Sequence, residues 1–405
     1  MSSRTTPASP RALAPPEPPA GRSVRTRLRG VLPVLGSLQG YIGLVLVIAA
    51  GMLTKGQVFW NQQNLTNAVG AFASRGILAV GETLVILTAG IDLSVGSLLG
   101  IASMVSALLL VHQNMNIYEI VPLCMVVGAL FGLANGAATA LLRIQSFVVT
   151  LAMLNVVRGI DRMLSNNVSV GTQLINAQGQ LTPRSAQFQV LGTPGHNILT
   201  GLPLPLLGRA GIYYPVLALI VVVVVFQLLL SKSKFGRHIY AVGGNETAAR
   251  LSGVNTTYVK IAVFMLAGLL AGFAGPIDAA YSASADPLAG SSYELDAIAA
   301  VVIGGASLAG GRGSIVGTLV GSLILTLLDN VLGLNAISDN AQLIIKGLIV
   351  ILAVVIQRPD FFRALGPSVR RLGRQIHTRT GDPPGTAANT SPQPQPATPP
   401  LEESR

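Results

Sequence analysis

The chain alternates long apolar runs with short polar breaks, at a spacing that matches membrane thickness. A bilayer interior of about 30 Å needs about 20 apolar residues per helix. On that measure, spans are predicted near 34–54, 69–89, 93–111, 120–141 and 145–160 in the first half. In the second half they fall near 213–230, 258–280, 294–310, 314–335 and 341–356. The stretches 69–111 and 294–335 are interrupted by glycines and polar groups. Such interruptions predict short or broken helices shielded by protein, because bare backbone is costly in lipid. The expected fold is an all-α polytopic membrane protein of about ten transmembrane helices.

Composition strengthens this picture. Of 405 residues, 50 % are hydrophobic and only 11 % charged, with a mean hydropathy of +0.60, whereas a soluble chain carries about 25 % charged residues. A net charge of +11 would point to nucleic acid in a soluble protein. Here the basic residues sit in loops and tails beside apolar spans, so no nucleic-acid partner is expected. Residues 1–30 hold six arginines among Pro, Ala and Ser with no apolar core. They predict a disordered cytoplasmic tail and a retained first helix, with no cleaved signal. The transmembrane domain is placed at 31–357, and the Pro-rich segment 358–405 is expected to be a second cytoplasmic tail. Cys124, the only cysteine, lies in an apolar run and offers neither a disulfide nor a thiolate metal site. The histidines lack ligand spacing, so no metal site is expected.

A polar insert at 231–257, SKSKFGRHIYAVGGNETAARLSGVNTT, separates two of the apolar runs. Lys232, Lys234, Arg237 and Arg250 outnumber its one acid, Glu246, which marks the insert as cytoplasmic. With ten spans both termini share that side, and the tails and Arg143 and Arg312 add to its basic excess. Within the insert Asn245 is suited to cap a helix and Glu246 to its first turn. Ala248-Ala249-Arg250-Leu251 favours helix before Gly253 stops it. A short helix of this kind is a rigid handle for a partner protein. On the other side lies the polar, turn-rich segment 161–212. It either caps the external mouth, meets a soluble partner, or is a variable loop.

Few residues carry candidate chemistry. Asp92 lies between two spans, and it either caps the helix beginning near Leu93 or serves passage of a solute. Gly128, Gly132 and Gly136 repeat every four residues, and Gly268, Gly272 and Gly275 follow similar logic; both stripes predict close helix packing. Arg143 anchors one end of the segment 144–160, and Arg158 is spaced to pair with Asp161 at the other. The segment between offers Ser146, Thr150 and Asn155, suited either to a neutral polyol or to ties between helices. Thr88, Ser94 and Asn155 are the candidates for lining a mostly uncharged passage. Glu82, Asp278, Asp296 and Asp329 are scattered, with no spacing that demands a coupling ion. No Gly-rich loop ends in Gly-Lys-Ser or Gly-Lys-Thr, so no ATPase site is assigned to the chain and no catalytic residue is expected.

The motifs together resemble the ribose-type permeases of monosaccharide ABC importers. Gly236-Arg237 through Tyr240-Ala241-Val242-Gly243-Gly244-Asn245-Glu246 and on to Gly253-Val254 resembles their cytoplasmic signature. Thr88 to Ser97 (TAGIDLSVGS), Gly132 to Gly136 (GLANG) and Ile303 to Gly313 (IGGASLAGGRG) resemble three further hallmarks, in register over about residues 40–356. One departure is that Gln145-Ser146 stand where the family often has consecutive prolines. The resemblance implies a bacterial inner-membrane permease without its own ATPase site, paired with a second copy or close relative. Cytoplasmic ATPase domains, holding ATP and Mg, and a soluble sugar-binding protein would complete the importer. Asn245 to Arg250, with Arg237, Gly243, Gly244 and Ala249 around them, would form the helix seated on the ATPase. The alternatives are a permease of the same superfamily for an amino acid or nucleoside, or a secondary carrier.

Overall fold

A computed structural model describes residues 24–192, 197–198 and 212–357, with side chains for all of these except 24–39, 197–198, 212, 353–354 and 356–357. Nearly all belong to one compact unit, Met1–Val354; of the second, Val355–Arg405, only 355–357 are described. The rest of both predicted tails, and the 193–196 and 199–211 parts of the external segment, lie outside the described residues.

The described chain is almost wholly helical. In order come α1 (Val24–Phe59), α2 (Gln62–Leu87), α3 (Val95–Gln113), α4 (Ile117–Leu141) and α5 (Ser146–Ser165). After β1 (Val170–Gly171), α6 (Pro183–Gln189), β2 (Asn197–Ile198) and β3 (Ile212–Tyr213) follow α7 (Tyr214–Lys232), α8 (Lys234–Gly244), α9 (Glu246–Leu251) and α10 (Thr256–Tyr281). The chain continues through β4 (Ser284–Ala285), α11 (Tyr293–Ile303), α12 (Ile315–Leu334) and α13 (Asp339–Gln357). Every predicted span overlaps one of these helices, and seven are long and apolar enough to cross a membrane. Helix α1 begins at Val24, inside the segment read as a tail, and departs from helical backbone at Lys55.

The predicted span 294–310 is only half helical. Helix α11 stops at Ile303, and eleven residues reach about 16 Å, half of a bilayer. Beyond it Gly305, Gly310, Gly311 and Gly313 all take positive φ, a backbone that residues with a Cβ resist. Composition alone reads this run as apolar; its glycines turn it into a loop.

Burial sorts the helices into layers. Most of α2, α3 and α10 is enclosed, whereas little of α4, α7 and the 40–59 part of α1 is buried. The exposed faces are apolar, for example Val45 and Leu46 of α1, Leu130 of α4 and Val224 and Leu228 of α7. Exposed apolar patches of this extent suit lipid and not water. Helix α10 is the central post, packed on α4, α3 and α2. At its C-terminal end β4 pairs antiparallel with β1, and Phe188 of α6 is buried among Ala102, Met104 and Ala280. The described part of the segment 161–212 is thus folded onto the bundle. At the N-terminal end of α10 lie α8, α9 and the loop after α11.

Candidate functional site

Helix α8 follows directly on α7 because Ser233 ends one and caps the other, its Oγ accepting the Gly236 N–H at 2.9 Å. Ile239 and Val242 are buried, and Tyr240 donates its hydroxyl to the Gly313 carbonyl at 3.0 Å. Burial pushes this phenol above its ordinary pKa, which keeps it a donor. Gly243 sits against the Leu87 carbonyl and the Gly311 N–H so closely that any Cβ would collide with both. Gly311 in turn donates to the Leu87 carbonyl at 3.0 Å. The end of α2, the end of α8 and the loop 304–314 therefore meet backbone to backbone.

Asn245 takes extended φ and ψ, and its side chain accepts from the Ala248 N–H at 2.9 Å, starting α9. Ala249 is the buried side of this six-residue helix; Glu246, Arg250 and Leu251 are exposed. Gly253, at φ 85°, follows the helix. Glu246 accepts from Lys260 of α10 at 2.6 Å. Of the residues expected to contact an ATPase, Gly243 and Ala249 are buried and hold the module in place, whereas Arg237, Gly244, Asn245, Glu246 and Arg250 face outward.

Between α2 and α3 the backbone of Thr88–Ser94 is not helical, yet it is largely buried. Unpaired amides there would each be costly. Four consecutive N–H groups are instead met by four side chains. Ile91 donates to Ser146 Oγ at 3.1 Å, Asp92 to Glu82 Oε1 at 3.3 Å, Leu93 to Thr150 Oγ1 at 3.1 Å and Ser94 to Asp92 Oδ1 at 2.8 Å. The same Asp92 oxygen accepts the Ser94 hydroxyl at 2.6 Å, and Asn135 Nδ2 donates to Ser94 Oγ at 2.8 Å. Asp92 thus closes the turn leading into α3; the N-cap position is Ser94 and carries no side-chain cap bond. Glu82, one of the acids read as scattered, is a structural partner of Asp92. Ser146 and Thr150 are ties between segments.

The three candidate passage residues separate. Thr88 lines a cavity of about 810 Å³ together with Arg143, Ser146, Glu246, Arg250 and Lys260. Ser94 is fully enclosed. Asn155 is exposed on α5, its amide donating to the Leu151 carbonyl at 3.0 Å. The four sequence motifs nevertheless converge: GLANG reaches TAGIDLSVGS through Asn135, and AVGGNE and IGGASLAGGRG meet at Ala89 of TAGIDLSVGS and the adjoining Leu87.

This arrangement is found on a chain whose residues 64–354 match the family model described as the permease component of the branched-chain amino acid transport system. The chain belongs to this permease family. The ribose import permease protein RbsC of Escherichia coli K12 is 42 % identical over 312 residues, covering 77 % of this chain and 91 % of the relative. RbsC of Bacillus subtilis is 38 % identical over 337 residues, covering 82 % and 95 %. The xylose transport system permease protein XylH of Haemophilus influenzae is 35 % identical over 358 residues, covering 78 % and 96 %. No solved structure matches the chain. It is a multi-pass membrane permease, a transport subunit.

Two further features hold the permease together. The glycine stripes face each other: a Cβ on Gly128 would strike the Gly268 carbonyl, on Gly132 the Phe264 carbonyl, on Gly136 the Ile261 backbone, and on Gly272 the Cys124 carbonyl. Small residues allow α4 and α10 to approach this closely. Gly275 faces α3 instead, against Ala102 and Ser103. The second feature corrects the reading of scattered acids. Lys346 of α13 pairs with Asp296 of α11 at 3.0 Å and with Asp329 of α12 at 3.3 Å. Asp329 also pairs with Arg75 of α2, whose guanidinium lies 5.0 Å above the Tyr293 ring. Arg158 and Asp161 stand 3.8 Å apart one turn along α5.

Proposed function

We propose that the chain is the membrane permease subunit of an ATP-driven importer, translocating a monosaccharide delivered by a soluble binding protein. The observation that carries this reading is the junction at Gly243. A short capped helix, α9, projects from a module locked backbone to backbone onto the buried, non-helical segment between α2 and α3. A partner that moves α9 thereby acts on that segment. Its differential affinity for two arrangements of the helices would supply the coupling. The partner is a cytoplasmic ATPase holding ATP and Mg; the permease contributes no catalytic residue.

The resemblance to ribose and xylose permeases supports a sugar as the solute; the family description favours an amino acid as the second reading. The passage runs at the centre of a dimer, between exposed α5 faces carrying Asn155, and a neutral polar lining suits a sugar that must be held weakly. Both termini and α9 face the cytoplasm in a bacterial inner membrane. The basic residues Arg143, Lys232, Lys234, Arg237 and Arg250 at that end support the orientation.

Uptake assays with a panel of pentoses, hexoses and branched-chain amino acids test the solute class. Uptake of amino acids alone would replace the sugar reading. In a Cys124-free background, a cysteine at Asn176 should label from outside intact cells and one at Gly244 should not; the reverse pattern overturns the orientation. Glu246→Lys should lower transport-linked ATP hydrolysis while membrane insertion is kept, since the exposed Glu246–Lys260 pair contributes only about 0–1 kcal/mol to stability. Unchanged coupling in that variant removes Glu246 from the ATPase contact.

A further inference from the structure

The cavity beside α9 has a basic lining of which the transport reading uses only Thr88, Glu246 and Arg250. Arg143, Arg250 and Lys260 all border its roughly 810 Å³, against one carboxylate, Glu246. Glu246 is bonded to Lys260, and among the described residues neither Arg143 nor Arg250 has an acidic partner within 4.0 Å. The remaining lining is rich in neutral donors, including Thr139, Gln145, Ser146 and Thr257. Each of the two guanidiniums bordering the cavity offers a planar fork of donors that matches phosphate oxygens.

Placement sharpens the chemistry. Arg143 occupies the corner between α4 and α5 at φ 57°, and the side chains flanking it, Leu141, Leu142, Ile144, Phe147 and Val148, are exposed and apolar. A charged cavity is thus rimmed by exposed apolar surface at the end of the bundle that carries α9. Basic pockets between membrane helices near the cytoplasmic surface are suited to anionic headgroups.

We infer that this cavity binds a phosphate group, presented either by an anionic phospholipid or by a soluble phosphate, with Arg143 and Arg250 as its main ligands and Lys260 assisting. The inference goes beyond the transport reading and is independent of the solute.

The test uses the full chain in two arms. In the first, native mass spectrometry follows retention of phosphatidylglycerol against phosphatidylcholine. Arg143→Gln/Arg250→Gln should lose the preference for phosphatidylglycerol about tenfold or more, on the scale of two basic groups near a headgroup. Lys232→Gln/Lys234→Gln removes the same charge outside the cavity and should keep the preference. In the second arm, inorganic phosphate is added to the protein in phosphatidylcholine nanodiscs, and the melting temperature is read. A rise in the wild type that is absent in Arg143→Gln/Arg250→Gln assigns the site to a soluble phosphate. Arg143→Lys/Arg250→Lys keeps the charge, and retained binding there shows that the loss is not misfolding. The inference is overturned if neither probe distinguishes wild type from the glutamine variant, or if the Lys232/Lys234 variant loses as much. Sugar uptake, measured separately, decides the transport reading without touching this one.

Discussion

Arg75 and Glu82 lie about two turns apart on α2, and the structure houses their charged groups in opposite ways. Around Arg75, two cations and two carboxylates from α2, α11, α12 and α13 neutralise one another. Around Glu82, two carboxylates, its own and that of Asp92, have no cation within 4.0 Å among the described residues. They are held by backbone N–H groups and a serine hydroxyl, and Glu82 Oε2, Asp92 Oδ2 and Asn135 Oδ1 have no hydrogen-bond partner among the described residues. The first region is a balanced clamp between helices that run continuously. The second supports a stretch of open backbone, and there the side chains act mainly as acceptors. The difference teaches that polar groups inside this bundle serve two separate tasks, fixing helix positions and replacing a helix's own hydrogen bonds.

The largest expected effect comes from unbalancing the clamp. Lys346→Met leaves Asp296 without its partner and Asp329 with Arg75 alone, and should destabilise the protein by less than the about 3–5 kcal/mol of a fully buried pair, because these groups are part-buried. Lys346→Met/Asp296→Asn should recover part of that loss. The unfolding midpoint in detergent measures both; equal midpoints for Lys346→Met and wild type would dissolve the contrast between the regions.

Next in size is the junction that links the second region to α8. Gly243→Ala places a methyl against the Leu87 carbonyl and the Gly311 amide, where overpacking costs about 1–3 kcal/mol. Transport should fall further than the shift in melting temperature alone accounts for. Gly244→Ala, where a Cβ meets nothing, should be close to neutral in stability.

Asp92 then separates charge from acceptor capacity. Asparagine retains an oxygen for the Ser94 N–H and hydroxyl, whereas leucine leaves both buried groups unmet at about 1–3 kcal/mol each. At matched expression, Asp92→Asn should keep more uptake and more stability than Asp92→Leu. Equal losses in the two would assign the need to the carboxylate charge and defeat the acceptor argument.

The smallest effect lies in the exposed loop between α10 and α11. The Ser169 hydroxyl and then the Leu288 N–H hold the Asp286 carboxyl below its ordinary value. Stability from this carboxylate is fully present above the ordinary carboxylate range, near about 3.9, and is lost as pH falls through the lower folded value. Ser169→Ala should flatten the acid limb of a melting-temperature profile slightly. A steeper limb in the variant would contradict the sign.

Much of this architecture was legible in the sequence because lipid makes simple demands. Length and apolarity located the spans, and the Lys and Arg bias gathered Arg143 and the 231–257 insert on one side. The cap at Asn245 needed only local geometry, since an Asn side chain reaches an amide three residues on. The spacing of Gly128, Gly132 and Gly136 announced close packing for the same reason, as four residues return to one face of a helix.

What tertiary structure decided was the identity of partners. A stripe of glycines does not say which helix will lie against it, and only the fold brings Gly128 to Gly268 while turning Gly275 towards α3. Glu82 and Asp92 look like isolated acids along the chain, because a hydrogen bond across a ten-residue gap leaves no periodic trace. Asp296, Asp329 and Lys346 share no helix, so their pairing exists only once α11, α12 and α13 are packed. The loop of 304–313 is apolar enough to pass for membrane span, and only its positive φ angles and its contact with Gly243 separate it from one. Local rules therefore set the helices and their ends. Contacts between distant segments set the task of each buried polar group, because its energy depends on a partner that sequence distance does not encode.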